Sequence, residues 1–165
     1  MKTFSSLCFL LFIITSASAQ NSGNAFCTRL DSVLNFFTFT KPEIKGQQIR
    51  SDGFNTFYQS RIRFSKKGRT QISVSKKETQ LTFFTEWLGE NLAEEKAGWM
   101  YDNYFSELKN CLGDKFSEKP SDNPESKWAL YYNSDYVVGL HWNKDSYSGL
   151  CSISISVYPP EEFDY

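Results

Sequence analysis

Histidine is nearly absent from this 165-residue chain: His141 is the only one. No Cys-x-x-Cys pair occurs. A histidine-rich metal site is therefore excluded, and a thiolate site would have to be built from dispersed cysteines; no metal and no cofactor are expected. No Asn-x-Ser/Thr sequon is present. N-glycosylation therefore offers no clue to the type of cell. After the N-terminal segment, no apolar run approaches the roughly 20 residues that span a bilayer, so no membrane span is expected. No nucleic-acid-binding motif and no motif that specifies a reaction is found.

What is there begins with the N-terminus. Lys2 precedes an apolar stretch from Leu7 to Ile14, and Ala17-Ser18-Ala19 matches the small-residue pattern before a cleavage site. Residues 1–19 read as a secretory signal peptide, which discards Cys8. Residues 20–165 read as a single α+β domain, exported to a periplasm or the extracellular space. Three cysteines remain, Cys27, Cys111 and Cys151. An oxidising compartment permits one disulfide and leaves one thiol over.

Charge is nearly balanced overall, with 18 basic and 19 acidic residues, but it is unevenly placed. Residues 41–77 hold ten basic residues against Glu43 and Asp52, a net of +8. Such asymmetry points to electrostatic binding.

Periodicity supplies the elements. Phe26, Leu30, Val33, Leu34 and Phe37 form one stripe of a helix over 24–37, capped by Ser22 or Asn24. Ala97, Tyr101, Tyr104, Leu108 and Cys111 form the stripe of a second, from about Asn91 to Leu112. Asn91 with Glu94 resembles a capping box, and Gly113 ends the helix. Between them, three alternating segments predict strands: Tyr58 to Phe64, Ile72 to Val74, and Leu81 to Phe83, with turns at Lys66-Lys67-Gly68 and Lys76-Lys77. Residues 114–127 read as a long mobile loop. Three further strands follow, at Trp128–Tyr132, Tyr136–Trp142 and Cys151–Val157. The expected architecture is an antiparallel sheet with two helices packed on one face, in two α-β-β-β halves. Two antiparallel helices would bring Cys27, in the first turn of one, to Cys111, in the last turn of the other. That is the favoured disulfide, with Cys151 buried and free; Cys111 with Cys151 is the rival pairing.

Phe26-Cys27-x-x-Leu30, together with Cys111-Leu112 at the end of a second helix, resembles a group of small exported bacterial proteins of unknown function. The element order is also similar to secretion-chaperone-like α+β folds. Neither resemblance implies a catalytic residue.

The foremost candidate site is basic. Arg61, Arg63 and Arg69 alternate with Ile62, Phe64 and Ile72, and Lys66 and Lys67 crown the turn beside them. A ribbon of this kind suits an anionic protein, glycan or surface. Tyr131, Tyr132, Trp142 and Tyr147 are a second candidate, a stacking platform for a sugar ring. The favoured function is an exported, non-catalytic binding or interaction protein. The alternative is a small secreted hydrolase using dispersed carboxylates and His141, which a cleft holding His141 with an acid and a shifted pKa would favour; a flat or merely charged sheet face would favour the binder.

Overall fold

A computed structural model describes residues 24–39, 44–76 and 81–160. The signal-peptide reading, Ser22, Pro42, Lys77 and the acidic tail lie outside the described residues. The elements run α1 (Ala25–Phe39), β1 (Lys45–Ser51), β2 (Asn55–Ser60), β3 (Arg69–Ser75), β4 (Leu81–Leu92), α2 (Glu94–Leu112), a 3-10 turn (Gly113–Lys115), β5 (Ser117–Lys119), β6 (Ser126–Tyr132), β7 (Val137–Lys144) and β8 (Cys151–Tyr158). This is a mixed α+β class. The eight strands form one sheet in the order β1-β2-β3-β4-β8-β7-β6-β5, and every neighbouring pair is antiparallel. Two four-strand meanders thus meet where β4 pairs with β8. Among the described residues no helix is long and apolar enough to cross a membrane.

Each helix is followed by four strands, which corrects the expected three. The additional strands are the two sheet edges. β1 reads KGQQIRS and is largely exposed, and β5 is only SEK. An edge strand that buries neither face has no apolar alternation to betray it, and charged or short edges resist unwanted pairing. The expected loop over 114–127 accordingly holds the 3-10 turn and β5, with Phe116 buried between them.

Both helix stripes pack into the core as expected at the positions described, the Phe37 side chain lying outside them. Asn24 Oδ1 accepts the Phe26 N–H at 2.9 Å, the bond expected of an N-cap. Phe26, Leu30, Val33, Leu34 and Phe36 of α1 are buried, as are Ala97, Tyr101 and Leu108 of α2. They share one core cluster with Ile72, Phe84, Leu140, Ile153, Ile155 and Val157. Full burial of each such aliphatic side chain is worth about 1.5–3 kcal/mol. Gly113 ends α2 at φ 75°, the left-handed region that suits glycine. Its start differs from expectation. β4 runs on to Leu92, Asn91 adopts φ 55° in a stretch of shifted register against β8, and Ala93 precedes the helix without a side-chain cap. Asn91 fits that left-handed strand position for the reason that made it look like a cap: its short polar side chain tolerates non-helical backbone.

The sheet is not one-sided. Leu130, Val137 and Tyr158 form a second buried cluster, with Phe83 and Trp128 packed against it. Cross-strand pairing puts Val137 opposite Tyr158 while the next pair, Val138 with Val157, belongs to the main core. Consecutive apolar residues in a strand necessarily feed both faces.

The Sγ atoms of Cys27 and Cys111 stand 2.06 Å apart and their Cα atoms 5.3 Å apart, within the range a disulfide requires. Cys151 is buried and free.

Candidate functional site

Arg61 and Arg63 lie on a loop rather than on the expected strand, together with Lys66 and Lys67, while Arg69 opens β3. β2 stops at Ser60, where the Thr70 hydroxyl takes over a ladder position: it accepts the Ser60 N–H at 3.0 Å and donates to the Ser60 carbonyl at 3.2 Å. The Ile62 N–H then turns back to Ser60 Oγ at 3.0 Å. With its backbone bonded to side chains, the chain leaves the sheet, and residues 61–68 follow an irregular path.

A buried carboxylate shapes that path. Glu86, at 0% exposure, projects from β4. Its Oε2 accepts the Phe64 N–H at 2.6 Å and its Oε1 the Ser65 N–H at 2.7 Å. Burial raises the Glu86 pKa, while those two N–H groups and the charges of Arg63 and Arg29 oppose the rise. Gly68 closes over the same group: a Cβ there would lie 2.2 Å from Glu86 Oε1. From α1, Arg29 Nη1 donates to the Arg63 carbonyl at 3.3 Å. Two elements, β4 and α1, therefore hold one loop.

The loop and α1 enclose a cleft of about 410 Å³ lined by Arg29, Arg61, Ile62, Arg63, Ser65 and Lys66. Arg61, Arg63 and Lys66 have no carboxylate at ion-pairing distance among the described residues. The five predicted basic residues are thus divided. Arg61, Arg63 and Lys66 converge; Lys67 is exposed on the loop but does not line the cleft. Arg69 is elsewhere: its guanidinium stacks 4.2 Å over the Trp87 ring and pairs with Glu90 at 3.1 Å. The single ribbon inferred from alternation is corrected, because alternation lapses once the strand ends at Ser60. Arg29 was missed. Its helix offers a stripe for burial, and nothing along the chain indicates which loop will lie beside the stripe's margin.

The aromatic platform does not form. Trp142 is buried in the main core, Tyr131 packs against that core and stacks on Tyr136 at 6.1 Å, and Tyr132 projects to the other face. Tyr147 sits in the β7–β8 turn, almost wholly exposed.

His141 lies opposite Trp128 across β6 and β7 and folds over Gly139, where a Cβ would approach its Nε2 to 2.6 Å. It lines a cleft of about 460 Å³ with Asp122, Asn123, Lys127, Trp128 and Asn143. Its pKa is lowered, and burial is the cause. Asp122 lines the same cleft, so an acid and a shifted His141 pKa do occur together there, while no hydrogen bond to an acid orients the ring among the described residues. A stability consequence follows. A histidine held neutral in the fold contributes stability that is full above its ordinary pKa of about 6.5 and is lost as the pH falls through the lower folded value. Urea unfolding of the wild type and His141→Gln from neutral pH downward is expected to show a steeper decline for the wild type. Parallel curves would refute it.

Among the described residues no group of three or more His, Cys, Asp or Glu side chains could hold a metal ion. No protein-family model matches the chain, and no curated protein and no solved structure matches it.

Proposed function

We propose that this is an exported, non-catalytic binding protein whose Arg29–Arg61–Arg63–Lys66 cleft takes an anionic partner. The supporting observation is the convergence of these four cations on one cleft beside a loop held by Glu86, with Arg61, Arg63 and Lys66 at ion-pairing distance from no carboxylate among the described residues. A pre-shaped loop binds with less loss of conformational freedom than a mobile one. Export fits the disulfide-distance pair Cys27 and Cys111 and the signal-like residues 1–19. The architecture we assign has both helices on the sheet face that carries Ile153 and Ile155, in two α-β-β-β-β halves related across the β4–β8 pair; the shared core cluster supports it.

The test is titration of the protein into fluorescently labelled poly-glutamate, followed by anisotropy. Binding is expected at low salt and should weaken steeply toward physiological ionic strength, where exposed charges are screened over about 8 Å. Reversing Arg61, Arg63 and Lys66 together to Glu should abolish it. Arg69→Glu, away from the cleft, should leave it nearly intact. Equal binding by the triple variant would overturn the assignment.

A further inference from the structure

The loop that borders the basic cleft also borders an apolar one. Phe26, Phe64, Trp99, Met100 and Tyr104 line a cleft of about 510 Å³, with Asn103, Ser106 and Glu107 among its polar residues. The Phe26 ring stands 4.9 Å from Phe64 and 6.0 Å from Tyr104, centroid to centroid. Those rings are largely buried, but Trp99 is 68% exposed. A tryptophan that remains open beside a hydrophobic cleft is the kind of side chain that dominates interfaces, since it brings a large apolar area at small entropic loss.

The two clefts adjoin through the same two elements. On α1, Phe26 lines the apolar cleft and Arg29 the basic one. Residues three apart in a helix are about 5–6 Å apart. On the loop, Phe64 lines the apolar cleft while its neighbours Arg63 and Ser65 line the basic one.

We infer that the two clefts form one bipartite surface for an acidic peptide segment, with an aromatic side chain seated against Trp99 and carboxylates reaching Arg29, Arg61 and Arg63. An extended peptide advances about 3.3 Å per residue. An aromatic residue in the apolar cleft over Phe26 and an acid two positions away at Arg29 therefore match the spacing of those two residues on α1. Charge sets the direction. Glu107, engaged by the Asn24 amide, stands in the apolar cleft, so the acids face the arginines and point away from it. The alternative is an acidic glycan. Its ring hydroxyls could bond Asn103, Ser106 and Glu107 but would find no partner along Phe26, Phe64 and Met100.

This inference rests on the reading of the basic cleft, and the experiment separates the two. Three fluorescein-labelled nine-residue peptides are titrated: one with a central phenylalanine among glutamates, one with alanine in its place, and one with phenylalanine among glutamines. The first should bind about tenfold more tightly than the second, a difference of about 1.4 kcal/mol. Trp99→Ala should erase that advantage while the alanine peptide binds as before; Trp99 is exposed enough for the fold to tolerate the change. If the two acidic peptides bind equally, the bipartite surface is wrong and the basic cleft stands. If neither binds, both readings fall. If the glutamine peptide binds as well as the first, charge is irrelevant and both fall again. If an oligouronate instead binds in a Trp99-dependent way and outcompetes the phenylalanine peptide, the partner class is wrong.

Discussion

Glu86→Ala is expected to lower the stability of the fold by about 3 kcal/mol or more, since unsatisfied buried donors cost about 1–3 kcal/mol each. Two such donors would be created at once, the N–H groups of Phe64 and Ser65, which now point at the carboxylate from 2.6 and 2.7 Å. Alanine also opens space beneath Gly68, whose Cα packs against the same group. Glu86→Gln keeps one acceptor oxygen and places an NH₂ against the second N–H, so its loss should be smaller. The pH response separates the variants. Burial raises the Glu86 pKa in the fold, so the native state binds more protons than the unfolded chain just above the ordinary glutamate range. The stabilising contribution of this linkage is full below that range and is lost as the pH rises through the folded value. Glu86→Gln lacks the titrating group and should lack this decline. Urea unfolding from pH 4 to 8 measures both effects. An alanine variant within about 0.5 kcal/mol of the wild type, the scatter of ordinary surface changes, would contradict the role given to Glu86. Because Glu86 holds the loop, the alanine variant should also bind poly-glutamate more weakly under conditions where it remains folded.

Separating Cys27 from Cys111 should have an effect at least as large. The two are 84 residues apart in the chain, and the chain-entropy relation assigns a cross-link of that span about 4–5 kcal/mol. The cross-link would tie the first turn of α1 to the last turn of α2, beside the Phe26–Phe64 contact that borders both candidate clefts. Replacing both cysteines by serine is expected to lower the urea midpoint by about 1.3–5 M, given slopes of roughly 1–3 kcal/mol/M. Peptide mapping without reductant should recover the two cysteines joined. Cys151 should resist thiol reagents in the folded protein, because burial both shields it and raises its pKa. A double-serine variant with an unchanged midpoint, or a Cys27 peptide alkylated before reduction, would refute the cross-link.

The parts that were legible along the chain are those in which a local pattern is itself the physical cause. The α1 and α2 stripes exist because one face of each is buried, and they could be read as such. Cys151, Ile153, Ile155 and Val157 alternate with serines because β8 buries that set of residues in the main core. Asn24 and Gly113 mark helix ends through side-chain acceptance and left-handed backbone, both local properties. Reading failed where the local pattern was shared by two outcomes. Asn91 suits both a cap and a left-handed strand position. Arg61 and Arg63 alternate with apolar residues, yet the alternation is that of a loop whose Phe64 turns inward under the hold of Glu86.

By itself, then, the sequence determined the helices, most of the strands, the burial of Cys151 and the concentration of positive charge between residues 41 and 77, because each depends on residues close together in the chain. Only the tertiary structure decided that β4 and β8 join the two meanders, that β1 and β5 complete the edges, that Arg29 enters the basic cleft while Arg69 leaves it for Trp87 and Glu90, and that an apolar cleft adjoins. Periodicity reports which face of an element is buried. It carries no information on which distant element supplies the covering atoms, and a buried carboxylate such as Glu86 is favourable only once backbone donors from a loop twenty residues away have been brought to it.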